Sequence, residues 1–182
     1  MRIISGFLKG RKVKFPQSKL VRPTTDRVKE TLFNILNNQI DFEGITACDL
    51  YAGSGSLGLE MISRGADEVH FVEKNFQVYK VLQQNIADLE VEDYCKVLKI
   101  DAVKFTTISS HTKYNLILAD PPFFKDDIHL VVDNLLKKDY LSENGMIIIE
   151  RSIQTKEKDE EAFKIEAFKR IGDSLLYRIT NA

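Results

Sequence analysis

Two groups of residues in this 182-residue chain have types and spacings that could do chemistry. The first is Asp120-Pro121-Pro122-Phe123, which directly follows an apolar run over residues 115–119. Consecutive prolines hold the backbone extended and supply no N–H, while their carbonyls stay free to accept. A carboxylate and a backbone carbonyl could together accept both hydrogens of an exocyclic amine on a nucleobase. Such a nitrogen is a poor nucleophile because its lone pair is delocalised into the ring. Drawn toward tetrahedral geometry, it aims that lone pair at an incoming methyl group, and Phe123 can stack on the base to fix its plane. Asp120 would also stabilise the positive charge that develops on nitrogen. The plainer reading is a surface Asp-Pro turn. An acid that follows a buried strand, in a motif closed by an aromatic, argues for the functional one.

The second group surrounds a glycine turn. An apolar run over residues 45–50 carries Asp49 one residue before its end, and Gly53, Gly55 and Gly58 follow at the G-x-G-x-x-G spacing. Apolar residues at helical spacing come next, so the stretch reads strand, tight turn, helix, the opening of a nucleotide-binding unit. Glycines at this spacing also mark ordinary strand-to-helix turns. Here Glu73 ends the next apolar run, 20 residues after Gly53, about the interval at which an acid holds ribose hydroxyls. Asp49 separates two cofactor classes. A carboxylate beside the turn repels the pyrophosphate of a dinucleotide and attracts a ligand bearing an ammonium and a sulfonium. S-adenosylmethionine has both cations and no phosphate, and the stretch favours it.

Asp49, Glu73, Asp101 and Asp120 all fall at or near the carboxyl ends of predicted strands, the edge where open α/β sheets bind ligands. Asp49 is assigned to the methionine ammonium, Glu73 to the ribose hydroxyls, Asp101 to the adenine amine and Asp120 to chemistry.

The elements that must position these residues alternate. Strand-like runs over residues 45–50, 69–73, 96–100, 115–119 and 146–150 are separated by helical patterns, which implies a parallel sheet with helices on both faces. Residues 162–168 and 174–180 read as a terminal antiparallel hairpin around Gly172-Asp173, and the charged run 156–161 as a solvated turn. Five parallel strands plus an antiparallel pair is the α/β, Rossmann-like layout of the class I methyltransferases. Short strands on either side of Gly6 and Gly10 predict a small N-terminal hairpin ended by Pro16. Thr24 or Thr25 can cap a helix whose apolar face is Val28, Leu32, Ile35 and Leu36.

The net charge of −1 hides an asymmetry. Residues 1–30 hold nine cations against two acids, a net +7 on an acidic body, which is the look of a polyanion-binding arm. Cys48 and Cys95 make no paired motif, and His70, His111 and His129 have no metal-ligand spacing, so neither a disulfide scaffold nor a metal is expected. With no signal segment or membrane-length apolar run, a cytoplasmic protein is expected.

Taken together, Asp120-Pro121-Pro122-Phe123 and the glycine turn resemble the (D/N)PP(F/Y/W) amino-methyltransferases. Arg2-Ile3-Ile4-Ser5-Gly6, Gly10-Arg11 and the block from Arg22-Pro23-Thr24-Thr25-Asp26-Arg27 to Asn34 narrow the likeness. They resemble the bacterial 16S ribosomal RNA guanine-N2 methyltransferase family, and the resemblance covers nearly the whole chain. It implies methyl transfer from S-adenosylmethionine to the N2 amine of one guanine in 16S rRNA, with the small ribosomal subunit as partner.

The expectation is a basic hairpin extension over residues 1–21 and a methyltransferase domain over 22–182. Arg11, Lys12, Lys14, Arg22 and Arg27 would meet the RNA. Asp49, Gly53, Gly55, Gly58, Glu73 and Asp101 would bind the cofactor, and Asp120, Pro121, Pro122 and Phe123 would carry the reaction. The rivals are an adenine-N6 methyltransferase acting on DNA or RNA and a non-catalytic ribosome-assembly factor. An NAD-dependent oxidoreductase is disfavoured by Asp49 and by the lack of a hydride-transfer partner.

Overall fold

The computed structural model describes residues 1–15, 26–109, 111–122 and 126–181. Arg22, Thr24, Thr25 and Phe123 lie outside the described residues, as does Pro16.

Five strands, β1 (Thr46–Leu50), β2 (Glu68–Val72), β3 (Cys95–Leu98), β4 (Tyr114–Ala119) and β5 (Leu141–Ser152), run parallel. β7 (Ser174–Thr180) pairs antiparallel with β5, and β6 (Lys169–Ile171) antiparallel with β7. The order is β3-β2-β1-β4-β5-β7-β6. The chain moves outward from β1 to β3 and then returns to place β4 on the other side of β1. The crevice for a ligand therefore opens where β1 and β4 part.

Successive side chains of a strand point to opposite faces, and the two cores follow that period. Ala47, Leu116, Leu118 and Ile148 face the core shared with α1 (Asp26–Leu36), α2 (Ser56–Ser63) and α3 (Phe76–Leu89). Cys48, Leu50, Ile117, Ala119, Ile147 and Ile149 face the core beneath α5 (Asp127–Lys137), with residues of α4 (Ala102–Phe105) in the same core.

Near the C-terminus two expectations give way. Residues 156–161 are not a solvated turn but most of helix α6 (Lys156–Phe163), and the strand expected over 162–168 begins only at Lys169. The charged run is anchored by one buried acid. Asp159 accepts from Arg151 Nε at 2.9 Å and Thr155 Oγ1 at 2.6 Å, and meets His129 Nε2 at 2.6 Å. Full burial of both Arg151 and Asp159 makes this pairing obligatory rather than superficial.

The N-terminal arm is joined by a single antiparallel bridge, Arg2 to Lys12. Ile3, Leu8 and Val13 enter the same core as α1–α3. All eight residues of α2 are buried, so its one acid, Glu60, lies inside. Glu60 accepts from the backbone N–H groups of Ile4 and Ser5 at 2.8 and 3.0 Å, from Arg64 Nε at 3.0 Å, and pairs with Lys29 at 3.3 Å. Gly6 seats the arm on the end of α2: its φ is +80°, and a Cβ there would fall 1.5 Å from the Ser63 carbonyl oxygen. Among the described residues no helix is long and apolar enough to cross a membrane.

Candidate functional site

The parallel registers set the site. Leu50 lies opposite Val72 on one side and Ala119 on the other, so the residues that follow, Glu73 and Asp120, flank β1 at one level. Two strand spacings of about 4.8 Å put their backbones roughly 10 Å apart. Asp49 lies between them and two residues lower, opposite Phe71 and Leu118.

After β1 the chain turns through left-handed positions at Tyr51 (φ 60°), Gly53 (φ 56°) and Gly55 (φ 84°). Gly55 caps α2, whose first turn then points its free N–H groups at the strand ends. Asp49 is 1% exposed, and its Oδ2 accepts from the Gly58 N–H at 2.8 Å. Gly58 therefore acts within the first turn of the helix. It also packs on the strands, since a Cβ there would come within 2.1 Å of the buried Phe71 ring. Burial pushes the Asp49 carboxyl well above the usual range; the Gly58 N–H opposes this, while the charges of Asp120 and Glu73 add to it.

Glu73 is half-buried and already holds two backbone donors, Gly53 N to Oε2 at 3.0 Å and Asn75 N to Oε1 at 2.7 Å. Each oxygen keeps a lone pair for another donor. Asp101 caps α4 through the Val103 N–H at 3.0 Å and pairs with Lys74 at 3.3 Å. Partial burial raises its carboxyl, but the Lys74 ammonium and the Val103 N–H together hold it below the usual range. Asp120 is half-buried, Pro121 buried and Pro122 exposed at the end of β4. Glu73 and Asp49 are tied to the glycine turn through the Gly53 and Gly58 N–H groups, and Asp120 is near enough for its charge to act on Asp49, so this edge of the sheet is acidic. That donor set suits a sulfonium and an ammonium and rejects a pyrophosphate.

Arg11, Lys12 and Lys14 are exposed on the arm and Arg27 at the start of α1. Arg11 Nη2 donates to the Asp88 carbonyl at 2.6 Å, and Lys14 pairs with the Asp88 carboxylate at 2.6 Å. Lys29, counted among the basic arm residues, is fully buried on Glu60 and donates to the Arg2 carbonyl at 2.8 Å, so it cannot face a polyanion.

Three features were not read from the sequence. Asn85 is buried in α3, accepts from the Lys14 N–H and donates to the carbonyls of Lys14 and Ser54, each at 2.9 Å, so it ties the arm to the glycine turn. Tyr51 Oη donates to Asp127 Oδ1 at 3.3 Å, across to the helix that follows the Asp120 loop. The Glu60–Lys29 pair had one visible signal, an acid inside an otherwise apolar helix.

Comparison with known proteins shows the family and the fold. The model of a family described as "Conserved hypothetical protein 95" matches residues 1–179. The protein named Ribosomal RNA small subunit methyltransferase D in Escherichia coli (strain K12) is 35% identical, over 85% of this chain and 76% of its own. Its namesake in Haemophilus influenzae is 34% identical, over 82% and 78%. The solved structure described as "Putative methyltransferase yhhF from Escherichia coli" superposes with a TM-score of 0.80 at 29% identity, covering 100% of this chain and 99% of that one.

Proposed function

The chain belongs to the Conserved hypothetical protein 95 family and has a methyltransferase fold, and from that premise we propose that it methylates the exocyclic N2 amine of a guanine in small-subunit ribosomal RNA, with S-adenosylmethionine as donor. The observation that carries the proposal is the placement of Asp49, Glu73 and Asp120 at the ends of the adjacent strands β1, β2 and β4, with Asp49 and Glu73 tied to one glycine turn.

When bound, S-adenosylmethionine supplies an electrophilic methyl group on a sulfonium. Asp49, ionised, holds the ammonium of the donor, and Glu73 takes the ribose hydroxyls with the lone pairs left beyond Gly53 and Asn75. Asp101 takes the adenine amine with the lone pairs left by Val103 and Lys74. Asp120 and the Pro121 carbonyl accept the two amine hydrogens of the target base, which Phe123 stacks. The amine proton becomes acidic once the nitrogen is alkylated, so water or Asp120 takes it without a stronger base. Arg11, Lys12, Lys14, Arg22 and Arg27 hold RNA phosphates while the base is turned into the crevice.

Incubation of small subunits with tritium-labelled donor, followed by nucleoside mass mapping, tests this. N2-methylguanosine in the small-subunit rRNA is the expected product. Label in N6-methyladenosine would move the reaction to adenine, and no transfer would leave a binding factor.

A further inference from the structure

The exposed face of α3 carries a stripe that none of the roles above uses. Phe76, Lys80, Gln84 and Asp88 recur every four residues along one side of the helix and are all exposed. Over 12 residues the stripe is about 18 Å long. At its upper end Phe76 remains 47% exposed, with the Lys80 and Lys99 ammoniums 4.6 and 4.8 Å from its ring centroid. That end is the lip of the crevice, because Phe76 follows Glu73 by three residues. Lys99, in turn, follows Leu98, the partner of Val72 in the β2–β3 register. At its lower end Asp88, the one acid on the stripe, is covered by Gln84 Nε2 at 2.7 Å and by Lys14 and Arg11 of the arm.

We infer that this stripe is a track for the phosphate backbone of the RNA substrate, running from the arm to the lip of the crevice. The inference rests on the proposed function. Charge decides the occupant: the one acid on the stripe is neutralised by the arm, leaving Lys80 and Lys99 around an exposed aromatic ring. Cations interleaved with an aromatic surface suit single-stranded nucleic acid. Glu90, Glu92 and Asp93 follow α3 in the chain, at its end away from the lip. The lip is three strand spacings from Asp120, roughly 15 Å, so nucleotides flanking a base held at Asp120 are the ones that reach it.

The test is the double variant K80E/K99E, with K137E/K138E at the end of α5, on the opposite face of the sheet, as a charge-matched control. With small subunits as substrate, KM should rise at least about 10-fold while kcat at saturation and donor affinity hold within two-fold. The slope of log affinity for rRNA against log salt should shrink by about 1.4–1.8, the loss of two phosphate contacts. A K80E/K99E variant with unchanged KM and salt slope, or a K137E/K138E variant that loses as much, overturns the track. Failure of the proposed function reads differently: wild-type protein would put no methyl into rRNA. The salt slope of rRNA binding, measured without donor, still tests the stripe in that case.

Discussion

Asp49 and Gly58 are joined by one hydrogen bond, the Gly58 N–H to Asp49 Oδ2 at 2.8 Å, in a site where the carboxyl is 1% exposed. One N–H does not offset the desolvation of a carboxylate, so the proton is held well above the usual aspartate range. A donor bearing an ammonium needs the ionised form. Binding should therefore release a proton from Asp49, and affinity should rise with pH, starting above the ordinary value of about 4, until the free carboxyl is ionised. Calorimetry in two buffers of different ionisation enthalpy measures the release. Affinity and heat that ignore pH and buffer would remove Asp49 from the ligand.

Asp120→Ala should keep donor binding within a few-fold and lower turnover by roughly 100- to 1000-fold, the scale for one preorganised transition-state hydrogen bond. Asp120→Asn keeps an acceptor oxygen and should retain partial activity. Single-turnover rates across pH separate the two, and an Asn variant as inactive as Ala at every pH would make the charge itself essential.

Glu73→Ala removes a contact worth about 1.5–3 kcal/mol to hydroxyl donors, so donor affinity should fall roughly 10- to 150-fold. The same change strips an acceptor from Gly53 and Asn75, so a thermal melt should accompany the titration. Unchanged affinity would place the ribose elsewhere.

Lys29 and Glu60 are both fully buried. Lys29→Ala takes one of two cations from Glu60. It should cost less than the about 3–5 kcal/mol of a fully stranded buried charge, because Arg64 stays at 3.0 Å. Lys29→Met combined with Glu60→Leu also strips Arg64 and the Ile4 and Ser5 N–H groups of their acceptor and should cost more. Urea melts of the three proteins decide it. A single variant as stable as wild type would mean that Arg64 and the Ile4 and Ser5 N–H groups suffice.

Replacing Arg11, Lys12 and Lys14 with Ala should weaken RNA binding and flatten its salt dependence while donor affinity stays put. Loss of both affinities together would assign these residues to the fold, a result that the Asn85 link from Lys14 to Ser54 would explain.

The alternation of apolar runs was enough to read the parallel sheet, because a strand buried on both faces shows itself as a continuous apolar stretch. The acids at strand ends were legible for a related reason: an ionisable residue closing such a stretch stands out against it. Charge patterning served less well where burial reversed its meaning. Lys29 read as a basic arm residue and Asp159 as part of a solvated turn, yet Lys29 is sealed in the interior on Glu60, 31 residues away, and Asp159 on Arg151 and on His129, 30 residues away. The sequence by itself determined the succession of the five parallel strands and the identity of the acids, but not helix α6, which reads in it as a turn. Only the tertiary structure decided which charges face water, because desolvation is settled by what packs on a residue and not by its neighbours in the chain. For the same reason it took the packed fold to place Phe76 and Lys80 beside Lys99, which is 19 residues away from Lys80 in sequence and 4.8 Å from the ring in space.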